Sequence, residues 1–480
     1  MAFDCTRTVP DLALSIDRSA ALPLGGQVQD SVRRAIRSGM LRPGERLPST
    51  RQLAARLGVS RGLVVSAYEQ LLAEGYVVAN VGSGTRVTSA LHGLSIVSPT
   101  RAAEQTAALP APKIDFGYGV PDLRAFCTRD WLWALGDAAK SMPTIGLGDG
   151  AVEGDPCLRE MLADYHRRVR GSCADPTLTM IVGGFRQGLN FVLAALVAHG
   201  VERIALEDPG PRDHDHIARR AGLRVSAVAV DDDGLRVDQL RASGARAVLV
   251  TPAHQCPTGA ALGPARRHEL MQWANEVDGV ILEDDYDSEF RYDRQPPGAL
   301  QGLAPDRVVA LGSVSKTLAP ALRIGWVFTP PRFRDSIVAE MYFSCRGVPQ
   351  IDQVALARLI GSGRFDRHLR RMRNAYRQRR DALVLAVTDN MPGVTIAGLE
   401  AGHHALLRLP AGVDEERVVA DARAAGIAVQ GLGDYRVTPD DGPRNAVDPA
   451  ALVIGFGNAT SSQIIDGIQM LAEILTSATR

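Results

Sequence analysis

The chain has no cysteine framework. Its six cysteines (Cys5, Cys127, Cys157, Cys173, Cys256, Cys345) are scattered, with no C-x-x-C pair and no zinc-type spacing against the ten histidines. That excludes a disulfide scaffold and a zinc finger, and a reducing, intracellular setting is expected. The opening MAFDCTRTVPDLALSI lacks a basic stretch followed by an apolar one, so no secretory signal is expected. Long hydrophobic runs are missing as well. The most apolar helix-like stretch, LNFVLAALVAHG from Leu189, is far too short for a bilayer and reads as a buried helix. A cytoplasmic protein with no membrane partner follows as the expectation. Net charge is absent too: 54 Lys+Arg balance 54 Asp+Glu, so the chain as a whole has no pull on nucleic acid. What is present, 45% apolar and 22% charged residues in 480, excludes a disordered or fibrous chain and calls for roughly two or three domains.

Between about Ser89 and Lys113 the text becomes SALHGLSIVSPTRAAEQTAALPAPK, rich in Ala, Ser, Thr and Pro with no sustained period. This is linker composition, placed at residues 90–112 between a unit of residues 20–89 and a remainder of 113–480. In the small unit Val28, Val32, Ala35 and Ile36 share one helical face. Ser49 opens a second helix with a Ser-x-x-Gln capping box through Gln52; Leu53, Ala54 and Leu57 face inward and Gly58 stops it. Ser60 caps a third helix whose apolar set is Val64, Ala67, Tyr68, Leu71 and Leu72. YVVANVGSGTRVTS then gives two short β runs around Gly82-Ser83-Gly84, a hairpin signal. Helix, helix-turn-helix and hairpin together describe a winged helix. Residues 25–89 carry nine arginines against four acids, a net +5, which leaves about −5 for the rest. Charge segregated onto one small module is the footprint of a phosphate binder.

The remainder alternates strand-like and helix-like segments, which implies a mostly parallel sheet covered on both faces. From about Met391 the pattern changes to a smaller α+β part: HALLRLP, a helix over 414–425, ALVIGFG and a helix over 461–476. The distinctive motifs fall at the C-terminal ends of strands, where open α/β sheets bind ligands. LGSVSKTLAPALRIGW sets Lys316 just past the apolar run Val308 to Leu311, among small polar residues, a position suited to imine formation with an aldehyde cofactor. Pyridoxal phosphate (PLP) needs an acid against its pyridine nitrogen, a donor to its phenolic oxygen and an anion site for its phosphate. VILEDDYDSEFRY offers Asp284 and Tyr286, and VGGFRQG, opening a helix at Gln187, offers the N–H groups of Gly184, Phe185 and Arg186.

Two resemblances follow from these motifs. RLPSTRQLAARLGVSRGLVVSAYEQLLAEGYVVANVGSGT resembles the GntR-type winged helix. The resemblance implies that Arg46, Ser49, Arg51, Ser60 and Arg61 contact phosphates and base edges of double-stranded DNA, with Gly82 and Thr85 in a wing entering the minor groove. Residues 113–480 resemble a fold type I aminotransferase domain, in which Arg323 and Ser313, with Ser315, would clamp the phosphate. TPAHQCPTGA resembles that family's Asn-Pro-Thr-Gly loop, placing Cys256 at the cofactor. The fusion is similar to the MocR-type subfamily of GntR regulators, which implies a homodimer.

Three positions depart from the enzyme pattern. Cys256 stands where the family has Asn, and Pro211 where an aromatic follows Asp-Pro-Gly, leaving Phe185, His214 or His216 as substitutes. ALVIGFGN, around Val453, lacks the arginine that grips a substrate carboxylate, with Arg436 and Arg444 nearby. Losing that grip removes orientation worth orders of magnitude in rate. The expectation is therefore a DNA-binding transcription regulator that senses PLP, or an amine or amino acid effector, through a Lys316 aldimine. An active aminotransferase with a DNA-binding appendage, or a regulator that has lost PLP for another ligand, are the alternatives.

Overall fold

The computed structural model describes residues 16–80, 84–89, 112–292, 297–440 and 449–478; Gly82 and Arg444 lie outside them. The chain divides into two compact units, Met1–Pro110 and Ala111–Arg480.

The first unit holds α1 (Leu24–Arg37), α2 (Thr50–Leu57), α3 (Arg61–Ala73) and the antiparallel pair β1 (Val77–Asn80) and β2 (Gly84–Val87). Its helix starts are set by side chains. Ser49 and Gln52 form the reciprocal capping box of α2, and the Ser60 hydroxyl accepts the Leu63 N–H at α3. Gly58 closes α2 in the left-handed conformation, at φ +62°, which a residue with a Cβ rarely adopts. Val28, Val32, Leu53, Val64 and Leu71 are buried in the shared core. Leu72 is not: one residue round the helix from Leu71, it is 44% exposed, because the inward stripe of α3 is already filled by Val64, Ala67, Tyr68 and Leu71.

The second unit runs β3 (Ile114–Asp115), α4 (Thr128–Ser141), α5 (Pro156–Arg170), β4 (Thr179–Val182), α6 (Phe185–Ala198), β5 (Arg203–Asp208), α7 (Arg212–Arg220), β6 (Arg224–Asp231), β7 (Gly234–Leu235), α8 (Val237–Ala242), β8 (Ala247–Val250), α9 (Pro264–Glu276), β9 (Val280–Asp284), β10 (Val308–Ser313) and β11 (Gly325–Phe328). It continues with α10 (Pro331–Ser344), α11 (Gln350–Gly361), α12 (Arg364–Asn390), β12 (Thr395–Ala397), β13 (His404–Arg408), α13 (Glu415–Ala424), β14 (Ile427–Ala428), β15 (Gln430–Gly431), β16 (Ala451–Gly455) and α14 (Ser461–Ala478). The large sheet has the order β4-β11-β10-β9-β8-β5-β6-β7. Its middle, from β10 to β6, is parallel, while β11 runs antiparallel to both neighbours.

Alternation along each strand feeds two cores. Leu206, Leu249, Leu282 and Leu311 pack on one face with α6 and α10, whereas Val248 and Ile281 pack on the other with Leu270 and Trp273 of α9. Each such leucine contributes about 2 kcal/mol by leaving water. A smaller antiparallel sheet, β12-β13-β16-β15, forms the second lobe, and β3 returns to pair with β14 beside it. Helix α6 starts at Phe185, two residues before the expected Gln187, because Gly184 takes φ +92° and turns the chain out of β4. No described helix is long and apolar enough to cross a membrane.

Candidate pyridoxal site and DNA-reading module

Four strand ends meet at one edge of the large sheet. Register pairs Asp284, last in β9, with Leu311, and Ser313, last in β10, with Gly325, which in turn pairs with Val182 at the end of β4. Gly184 therefore lies against Gly325, and a Cβ on Gly325 would come within 2.9 Å of the Gly184 Cα. Lys316 follows in a turn held at both ends by buried apolar side chains, Val314 and Leu318, and closed by the Leu318 N–H donating to the Val314 carbonyl. This turn aims the amine inward. Lys316 Nζ donates to the Gly119 carbonyl and lies 5.7 Å from the centre of the Tyr118 ring. A Cβ on Gly119, which has φ +80°, would sit 2.6 Å from Nζ and push the amine aside.

Burial pushes the Lys316 amine below its ordinary pKa, against the opposing pull of Cys256, Asp284 and Asp287. A larger fraction is then unprotonated and nucleophilic. Asp284 is shifted the other way: burial first, then the charges of Asp285 and Asp287, drive its carboxyl well above the carboxylate range. Its Oδ1 is buried with no hydrogen-bond partner. Asp285, next in sequence, turns to the opposite side and pairs with Arg170, Nε to Oδ2 at 2.7 Å and Nη2 to Oδ1 at 3.1 Å. Tyr286 is buried, and its hydroxyl donates to the His254 carbonyl at 2.9 Å.

The anion-side residues are also grouped. Arg323 adopts φ +51°, and its Nη2 donates to the Gly183 carbonyl; a Cβ on Gly184 would meet that guanidinium at 3.1 Å. A side chain at 184 would press on the guanidinium, and φ +92° there favours glycine on its own. The first-turn amides of α6, Phe185 and Arg186 among them, lack acceptors within the helix, as at any helix start, whereas the expected Gly184 N–H already donates to the Val182 carbonyl at 2.8 Å. Ser313 Oγ accepts the Ser315 N–H at 3.4 Å. The Arg186 side chain points away, to an exposed ion pair with Asp213, leaving only its backbone to this corner.

The three departures have structural counterparts. Cys256 is fully buried, its thiol pushed far up by burial, in an apolar cluster with Tyr286, Leu406, Leu432, Tyr435 and Val453. The neighbourhood of Val453 is thus filled rather than polar. Arg436 pairs with Asp208, Nε to Oδ1 at 3.3 Å. Pro211 caps α7, and His214 is buried against Phe185 with ring centres 5.4 Å apart, while His216 is exposed.

Sequence reading passed over the half-buried Tyr118 and several buried groups: Gly119, Glu207, the His254–Asp287 pair, and His403 and His404. Only the doubled glycines of FGYG hinted at a close approach. Glu207 accepts from the Thr251 hydroxyl at 2.6 Å and from Gln255 at 3.3 Å, and burial still lifts its pKa to about 7. The folded chain thus keeps a proton that the unfolded chain has released, and stability falls as pH rises from 4.5 to about 7. Glu207→Gln should flatten that slope and raise the stability of the cofactor-free protein at pH 8 by as much as about 3 kcal/mol. Urea titrations at pH 5 and pH 8 measure it, and an unchanged slope would count against a neutral Glu207.

In the first unit Arg46, Arg51, Arg61, Ser49 and Ser60 are all exposed and Thr85 is half-buried. The Ser49 hydroxyl donates to Gln52 Oε1 at 2.8 Å as part of its cap, whereas Ser60 only accepts, so the Ser60 proton remains for an outside acceptor. Of the nine arginines, Arg33 is taken by Glu74 and Asp30.

Comparison with known proteins agrees with both halves. Residues 24–87 match the family "Bacterial regulatory proteins, gntR family", and residues 111–443 match "Aminotransferase class I and II". The HTH-type pyridoxine biosynthesis transcriptional regulator PdxR of Corynebacterium glutamicum is 33% identical over 88% of this chain and 91% of its own. The probable rhizopine catabolism regulatory protein MocR of Rhizobium meliloti is 31% identical over 86% and 87%. This chain belongs to the MocR-type GntR regulators. Like other MocR-type proteins it joins a DNA-binding winged helix to an aminotransferase-like domain of fold type I, a fold family that binds PLP. Among solved structures, the multiple substrate aminotransferase of Thermococcus profundus matches with TM-score 0.68 at 24% identity, covering 76% of this chain and 92% of its own, which speaks to the fold alone.

Proposed function

We propose that this regulator binds PLP at Lys316 and that occupancy of the site sets its affinity for DNA. The observation that carries the reading is Asp284, a buried acid with one enclosed oxygen unpaired, beside a lysine whose pKa burial pushes down. That oxygen fits a pyridine nitrogen, which would replace the missing partner. Arg323, Ser313, Ser315 and the amides of Phe185 and Arg186 would hold the phosphate, with Tyr286 and Cys256 against the ring. Bound PLP supplies an aldehyde with which primary amines condense. In the winged helix, Arg46, Arg51, Ser60 and Arg61 would contact DNA, and Ser49 and Thr85 would add contacts at the edges. The reading takes the domains as residues 20–89 and 113–480, with residues 90–112 joining them.

Sensing is favoured over turnover by the apolar filling around Val453 and the engagement of Arg436 with Asp208. Either PLP itself or an amine could be the signal; the kinship with PdxR favours the vitamer. A homodimer would give the winged helix a second half-site. Fluorescence anisotropy on a selected operator duplex at fixed ionic strength tests the proposal. Adding PLP, alone or with a panel of amines, should change affinity about fivefold or more in the parent chain and not in Lys316→Ala. Equal affinities in all arms would overturn it.

A further inference from the structure

We infer that His254, Asp287 and His404 form a site for one first-row divalent cation, zinc by the character of the donors. His254 lies in the loop after β8, Asp287 three residues past β9, and His404 opens β13 in the small lobe. All three are at least 98% buried, and one donor atom from each lies within 4.8 Å of the other two. His254 Nδ1 is 2.8 Å from Asp287 Oδ2, and the His254 and His404 ring centres are 4.6 Å apart.

Two further observations separate this group from an ordinary buried ion pair. The His404 ring is fully enclosed yet makes no hydrogen bond of good geometry, the Pro257 carbonyl being the one backbone acceptor in reach. An enclosed ring nitrogen without a good partner is destabilising, and the His254–Asp287 pair alone does nothing to offset it. The backbone also makes room for the cluster. Gly402, at φ +71°, closes on the pair so tightly that a Cβ there would lie 2.2 Å from Asp287 Oδ2 and 2.7 Å from His254 Nδ1.

The donor chemistry selects the ion. Two imidazole nitrogens and one carboxylate oxygen are a borderline set that suits zinc and its first-row neighbours, whereas magnesium and calcium prefer oxygen alone. A cavity of about 730 Å³, lined in part by His254, Thr258, Gly259, Gly398 and Leu406, borders the cluster on the His254 side. Because His404 belongs to the small lobe and the other two donors to the large sheet, a bound ion would fasten the lobes together. It would do so one ring away from the lysine: Tyr118 stands edge-on to His404 at 5.0 Å, with Lys316 Nζ 5.7 Å from the same ring.

The test uses full-length, tag-free protein in which the exposed thiols are removed (Cys157→Ser, Cys173→Ser, Cys345→Ser), titrated with zinc against a chromophoric chelator. One equivalent should bind, with affinity falling about 100-fold or more in His404→Ala and in Asp287→Asn, and unchanged in Lys316→Ala. Cobalt substitution gives a second readout that needs no variant: d–d bands without thiolate charge transfer are expected. No protein-dependent binding, binding unaffected by His404→Ala, or a thiolate band would each overturn the assignment. Retention in Lys316→Ala keeps this result separate from the fate of the PLP reading.

Discussion

Lys316→Ala should abolish the visible absorption band that the parent chain develops with PLP, and borohydride should no longer fix a pyridoxyl group on the protein. The expectation rests on three facts about one nitrogen. It sits just past the end of β10 beside the end of β9, burial pushes its pKa below the ordinary lysine value, and Asp284 waits nearby with an unpaired oxygen. The chain is well suited to the measurement because it contains only three lysines, Lys113, Lys140 and Lys316, and the other two are exposed. Peptide mapping of the reduced protein should find the label on Lys316. Label divided among all three lysines, or an undiminished band in the variant, would refute a specific site.

Arg170→Met should be the most destabilising single change near the site, by about 3–5 kcal/mol. The Arg170 side chain is 1% exposed and its partner Asp285 6%. Burial works to raise the Asp285 pKa, but the charge and hydrogen bonds of Arg170 win and keep it below the ordinary carboxylate range. Without the guanidinium, that charge stays enclosed with nothing opposite it, and Pro297 loses a donor at 2.7 Å. Urea denaturation measures the loss. Adding Asp285→Leu to Arg170→Met should recover much of it, since removing both charges avoids leaving one stranded. A single variant within 1 kcal/mol of the parent would mean that water reaches the pair.

How much of this was legible in the sequence follows from the range of each interaction. The caps of α2 and α3 are made between residues three apart, so Ser49, Gln52 and Ser60 could be read directly, as could the inward stripe of α1. Leu72 misled because an apolar residue beside a filled stripe has the same letter as one within it. Lys316, Asp284 and Arg323 stood out through motif and resemblance. Gly119, 197 residues from the lysine it supports, and His254, 33 residues from Asp287, could not, because nothing local marks a partner brought by sheet register. The start of α6 was displaced for a related reason: Gly184 owes its left-handed turn to the strand exit and the guanidinium above it, both set by tertiary structure.

The contact between Lys316 and Gly119 has one more consequence. Residues 113–122 form a strap lashed at several points: Lys113 and Phe116 donate to the carbonyls of Gly426 and Ala428, Gly455 donates to Phe116, and the Asp122 amide is held by the Tyr376 hydroxyl. Gly119 is the point at which this strap is moored to Lys316 Nζ itself. A substituent that drew the nitrogen toward another partner would untie that mooring and leave Gly119 held only by its neighbours in the strap.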